Sequence, residues 1–427
     1  MTIEDEVDRL IAQRPGRELL VPRYDDPAHR VTDFLYRSGG TTAAWCLLTN
    51  GSRVIVNTGL GYEAPHHKRV FDAIRPGPTP YVMSTQAHVD HVGGVQLFRE
   101  PDTVYVAQEN NVACQRDDAR IRALRLRTAA IWFDMTGRDA MRIAGENPGV
   151  SMHQDTPTPD VTFRDRLDLE VDGLRLELIA AVGETVDSMI VWLPEQKVAL
   201  ISNLLGPLFP HFPNLNTLRG DRYRLVEPYL ESVRRLRALQ PEMLVTGRHE
   251  PIVGSALIDA SLARLHDAVD WVHAATLDGM NAGTDMWTLM HEIRLPAHLR
   301  VGEGYGKVSW AVRTIWETYV GWFKLQSSTE LYPERDVEAR RILVEALGVD
   351  ATLDQARAAL DRGEGVVAIL LAEGVLACDE HHVGAARLMA DAHRWLLESG
   401  GDGNFWENGW LGFEMRRWMD RAEPAPG

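Results

Sequence analysis

Gln86, His88, Asp90 and His91 crowd one short run, Ser-Thr-Gln-Ala-His-Val-Asp-His, and are of types that bind metal ions. On extended backbone, residues two apart face the same way, so Gln86 and His88 can address one point. If the chain then turns, Asp90 and His91 project toward a second point nearby. Imidazole and carboxylate are the usual ligands of zinc and its transition-metal neighbours. Gly93-Gly94 lets the backbone pack closely after the turn. In isolation the run reads equally as a satisfied polar loop. Residues far downstream tip the balance. Glu184 lies in Gly-Glu-Thr-Val-Asp-Ser, Asn203 follows a predicted strand, and His249 lies in Gly-Arg-His-Glu-Pro.

Such a set needs strands to carry it. Ala44–Leu48 and Arg53–Val56 are predicted strands joined by a turn at Asn50-Gly51. A helix is expected over His67–Ile74, and Tyr81–Ser84 is the strand that leads into the metal run. Residues 115–150 are rich in Arg, Ala and Met and read as a helical insertion. Met189–Leu193 and Val198–Ile201 form a predicted hairpin, and Met243–Thr246 a strand that ends at Gly247-Arg248-His249. Strands and helices interleave, with polar residues waiting at strand ends, as in layered α/β folds. After about Ser255 apolar residues recur at helical spacing, which predicts an all-α region.

Composition narrows the function. The 427-residue chain has a net charge of −16, which argues against a nucleic-acid-binding face. Cys46, Cys114 and Cys378 are far apart, so neither a zinc finger nor a disulfide framework is expected. No signal peptide or membrane-spanning run is read, and the expected location is cytoplasmic, with no membrane partner.

The ordered set 86–91, 184, 203 and 249 resembles the metallo-β-lactamase superfamily, over about residues 30–255. Asn214-Leu-Asn-Thr-Leu-Arg219-Gly and the choice of Glu184 resemble the alkyl sulfatases of that superfamily. Tyr305-Gly-Lys-Val-Ser-Trp-Ala-Val-Arg313 resembles the start of their helical dimerisation domain. The resemblance implies an α/β fold, an αββα sandwich over residues 1–260, followed by an all-α dimerisation domain over 261–427. It implies one metal held by Gln86, His88 and Glu184 and another by Asp90, His91 and His249. Asn203, with Ser202 as its alternative, takes the place of a bridging acid. Arg219 is expected to face an anionic substrate, and Asp90 to orient a water. Three positions depart from the family pattern: Gln86 for His, Asn203 for an acid, and Asn57-Thr58-Gly59 for Asp-x-Gly. Amide oxygens are weaker ligands, so the Gln86/His88/Glu184 half is expected to be the weaker.

The implied function is a metal-dependent hydrolase of a small sulfate ester, with zinc, one or two per chain, and a homodimer through the helical domain. Iron or manganese, serving redox or lyase chemistry, is the alternative, as is a non-catalytic metal-binding relative. The chain ends without the lipid-binding-like domain of full-length alkyl sulfatases, which argues for a smaller substrate. Of the other histidines, His211 in Phe-Pro-His-Phe-Pro is a possible pocket residue. His66 and His67 read as solvated, and His381 and His382 as structural.

Overall fold

The computed structural model describes residues 2–14, 16–146, 149–400 and 403–423. They divide into two compact units, 1–318 and 319–427. The expected domain border at 260/261 falls inside the helix Ser255–Asn281, which packs on the helices Val226–Ala238 and Ile3–Ala12 of the first unit.

Two sheets form the frame of the first unit. The first runs, in spatial and chain order, β1 (His29–Arg30), β2 (Leu35–Ser38), β3 (Ala44–Leu48), β4 (Arg53–Val56), β5 (Tyr81–Met83), β6 (Val104–Gln108) and β7 (Val161–Phe163). The second contains β8 (Arg166–Val171), β9 (Leu174–Ala180), β10 (Met189–Leu193), β11 (Val198–Ser202), β12 (Met243–Thr246) and β13 (Ile252–Val253), ordered from β13 to β8. β4 to β7 are parallel, as are β11 and β12; the other pairs are antiparallel.

Strand alternation builds the layers. Trp45, Leu47, Val54 and Val56 face Leu176, Leu178, Val191 and Leu200 of the second sheet in one buried core. Their neighbours Ala44, Cys46 and Ile55 point the other way, onto Phe71, Val92 and Phe98 of the covering helices. The predicted turn at Asn50-Gly51 is the β3–β4 connection, with Leu48 opposite Arg53. The expected insertion is helical, as Asn111–Arg120, Arg122–Trp132 and Asp134–Glu146.

The second unit is all helical, built from Asp336–Leu347, Val349–Asp361, Gly365–Cys378, Val383–Ser399 and Phe405–Ala422. Val344, Leu353, Val375, Met389 and Trp418 share its core. Among the described residues no helix is long and apolar enough to cross a membrane.

Candidate active site

The polar residues gather where strands end. Asn57 follows β4, Gln86 follows β5, Asn203 follows β11 and Gly247 follows β12, while Glu184 lies between β9 and β10. Backbone bonds tie these loops together: Asn57 N to Met83 O at 2.8 Å, Thr58 N to His91 O at 2.9 Å, and Ala43 N to Gly247 O at 2.9 Å. Asn57 has φ 61°, a left-handed conformation that Asn tolerates. There its Oδ1 accepts from the Thr85 amide at 2.9 Å and from the Thr85 hydroxyl at 3.1 Å.

His88 precedes the short helix Val89–Val92, so the chain turns between the two histidines. The Gln86 amide nitrogen stands between them. It lies 2.9 Å from His91 Nε2, 3.1 Å from His88 Nδ1 and 3.1 Å from Glu184 Oε2. His91 Nδ1 is 3.1 Å from the Thr85 hydroxyl, which donates onward to Asn57. His91 therefore carries its hydrogen on Nδ1 and aims the Nε2 lone pair inward.

Charges surround this centre. Arg224 Nη1 is 3.4 Å from Glu184 Oε1. Burial works against ionising Glu184, but Arg224, His88 and Gln86 outweigh it and bring its carboxyl to about 2. Asp90, held by the Thr42 hydroxyl, is likewise brought to about 2: burial is outweighed by His91, His88, Thr42 and Arg248. Burial drives His91 down to about 4. For His88, burial is outweighed by Asp221 and Glu184, and its pKa rises. Arg219 stacks over Phe133 of the insertion, 5.8 Å from the ring centre, with Nη2 3.5 Å from His88 Nε2.

The grouping differs from the expected one. Gln86, His88, His91 and Glu184 come together, with Asp90 and Asn203 at the margin. Asp90 Oδ2 is 3.9 Å, and Asn203 Nδ2 3.4 Å, from His91 Nε2. His249, expected beside Asp90 and His91, has φ 65° and lies among Arg14, Arg248, Arg23 and Arg37. Burial and those guanidiniums lower its pKa to about 3. Its neighbour Arg248 is the member of that loop whose charge reaches Asp90 and His91. His211 serves as a clamp: Nδ1 accepts from Gly304 N at 3.0 Å, and Nε2 donates to Ile11 O at 3.1 Å. His67, read as solvated, is fully buried, with Nδ1 2.7 Å from Ser38 Oγ.

Asp221, Arg224, Arg248 and Tyr305 are not among the site residues expected from the sequence. Tyr305 is half-buried beside the charges of Glu184, Arg224, Arg219 and Arg248. Their one sequence signal is proximity: Asp221 and Arg224 follow Arg219, and Arg248 precedes His249.

Two imidazole nitrogens and a carboxylate oxygen facing one point are the donor types of a catalytic metal centre. Among the described residues no three His, Cys, Asp or Glu side chains yet stand in metal-binding geometry. They surround the amide nitrogen at hydrogen-bond distance, beyond the about 2.0–2.2 Å of zinc bonds to nitrogen and oxygen. An ion held by these donors would take the place of that amide.

Residues 37–249 match the metallo-beta-lactamase superfamily, and residues 286–408 match alkyl sulfatase dimerisation. The chain is 28% identical over 313 residues to a linear primary-alkylsulfatase of Pseudomonas sp., covering 69% of this chain and 58% of that protein. It is 24% identical over 418 residues to the alkyl/aryl-sulfatase BDS1 of Saccharomyces cerevisiae, covering 90% and 62%. The chain thus spans less than two thirds of the length of these relatives. Its fold is similar to that of the stereoselective inverting sec-alkylsulfatase Pisa1 from Pseudomonas sp., with TM-score 0.80 and 21% identity over 99% of this chain and 77% of that one.

Proposed function

We propose that this chain, which belongs to the metallo-beta-lactamase superfamily and carries an alkyl sulfatase dimerisation domain, is a metal-dependent hydrolase of sulfate esters. One observation carries the reading: His88 Nδ1, His91 Nε2 and Glu184 Oε2 face one point, with Arg219 against the far edge of His88. Those three atoms would hold the ion, which we take to be a single zinc. Zinc so bound lowers the pKa of a water toward neutrality and polarises an ester oxygen.

The protein's own groups do the rest. Asp90, fixed by Thr42 and ionised, would accept a hydrogen from a water and orient it. Arg219 presents a planar fork suited to a sulfate group, and Phe133 covers one of its faces. Exposed Leu218 and Val186, next to Arg219 and Glu184 in the chain, offer apolar contact to the organic part of a small ester. In the second unit, Ile342, Leu343, Leu347, Val366, Val367 and Leu370 are exposed on two of its helices. They support a homodimer through this domain, which sedimentation would test.

Release of inorganic sulfate from alkyl and aryl sulfate esters tests the activity, with the matching phosphates and acetates as controls. Metal-depleted protein should be inactive and zinc should restore it. Zinc-loaded protein that releases sulfate from none of these esters would overturn the proposal. Bound iron with a visible absorption band would point to redox chemistry instead.

A further inference from the structure

The loop after Arg219 brings a carboxylate to the outer edge of His88. Asp221 divides its oxygens between two tasks. Oδ1 accepts the Arg222 backbone N–H at 3.0 Å and faces Arg125 Nη2 at 3.5 Å. Oδ2 is buried, makes no hydrogen bond among the described residues, and stands 3.5 Å from His88 Nε2.

The tautomer of His88 decides what Oδ2 can do. An ionised Glu184 only accepts, so the Gln86 amide turns its nitrogen toward it. The same nitrogen is 3.1 Å from His88 Nδ1, which accepts only where one of the amide's two hydrogens turns to it from His91 Nε2 or Glu184. Whether the ring is neutral and accepts at Nδ1 or carries hydrogens on both nitrogens, Nε2 bears one. Arg219 Nη2 is also 3.5 Å from Nε2, but a guanidinium has no lone pair to receive that hydrogen. Asp221 Oδ2 can receive it.

We infer that Asp221 is a positioning residue that takes the Nε2 hydrogen of His88 and keeps the Nδ1 lone pair aimed at the centre shared with His91 and Glu184. Its functional meaning rests on the proposed metal site; its geometry does not. A carboxylate behind a ligand histidine fixes the ring and raises its basicity. The insertion takes part, since Arg125 also donates to Gly220 O at 3.2 Å and so braces the loop from the helix Arg122–Trp132.

The test uses metal-free protein with 15N-labelled histidine, in which nitrogen shifts report the tautomer of His88. The wild type should show the Nε2–H form. Asp221→Ala should lose it, and Asp221→Asn, whose amide oxygen can still accept, should largely keep it. Competition with a chromophoric chelator should show zinc binding weakened about 10- to 100-fold in Asp221→Ala and less in Asp221→Asn. A wild type that binds no zinc, together with a tautomer change in Asp221→Ala, would sink the metal reading and support the positioning role. An unchanged tautomer in Asp221→Ala would overturn the inference. If Asp221→Ala does not fold, the wild type decides: a His88 tautomer shared between both nitrogens overturns the inference.

Discussion

His88 Nδ1 and His91 Nε2 lie 3.1 and 2.9 Å from the same atom, the amide nitrogen of Gln86. One side chain thus stands among two imidazoles and the Glu184 carboxylate, with two hydrogens for three facing atoms. Gln86→Ala would leave these buried acceptors without their donor. An unmet buried polar group costs about 1–3 kcal/mol, so the metal-free variant should be less stable by that order. Zinc would meet the same acceptors, so it should raise the melting temperature of Gln86→Ala more than that of the wild type. Thermal unfolding with chelator and with zinc checks this. Equal zinc shifts would mean that the amide does not stand at the centre.

Arg219 should act on binding more than on turnover. A hydrogen bond to a charged group is worth about 1.5–3 kcal/mol, so Arg219→Ala should raise KM for a sulfate ester about 10- to 100-fold. Arg219→Lys keeps the charge but loses the fork, and should fall between. Steady-state kinetics on one ester, with inorganic sulfate as a competitive inhibitor, gives both numbers. Unchanged KM and sulfate inhibition in Arg219→Ala would assign the guanidinium to the loop's own structure.

Much of the frame was legible because alternation writes both faces of a strand into the chain. Trp45 and Leu47 against Ala44 and Cys46 already separate the sheet–sheet core from the helix-covered face. The metal run was legible for a similar reason: its residues lie next to one another after a strand. Their grouping was not. Extended-chain spacing paired Gln86 with His88, but the helix Val89–Val92 turns His91 back toward them. His249 has left-handed backbone just after β12, and its Nε2 is buried without a hydrogen bond among the described residues. Asp221 and Arg224 act on His88 and Glu184 from far along the chain, so neither motif nor spacing pairs them; they meet only when the loop after Arg219 folds over the site.

His67 should make the fold acid-sensitive. Burial drives its pKa from 6.5 to about 3, with His66 pushing the same way. The unfolded chain therefore takes up the proton first as pH falls through 6.5. The stability this group supplies is complete above about 6.5 and is lost progressively toward pH 3. At about 1.36 kcal/mol per unit, moving from pH 7.5 to pH 4.5 should remove about 2–3 kcal/mol through His67 alone. Denaturant unfolding of the wild type and His67→Asn at both pH values isolates it as a difference of differences. Parallel losses in the two proteins would place the acid sensitivity elsewhere.

Gly247 leaves room for Asn203. A Cβ at Gly247 would lie 2.2 Å from Asn203 Oδ1 and 2.9 Å from Ser202 Oγ, so something must move. The Gly247 carbonyl is held by Ala43 N at 2.9 Å, which resists a backbone shift and leaves the Asn203 side chain to yield. Asn203 Nδ2 is 3.3 Å from Thr42 Oγ1 and 3.4 Å from His91 Nε2, and Thr42 in turn holds Asp90. Gly247→Ala should therefore disturb Asp90 and His91 together, lowering kcat and costing about 1–3 kcal/mol of stability by overpacking. Shortening the obstructing side chain as well, in Gly247→Ala with Asn203→Ala, should recover stability relative to Gly247→Ala alone. A double-mutant cycle on unfolding free energy measures that coupling. Simple additivity would show that the damage comes from the backbone rather than from the amide of Asn203.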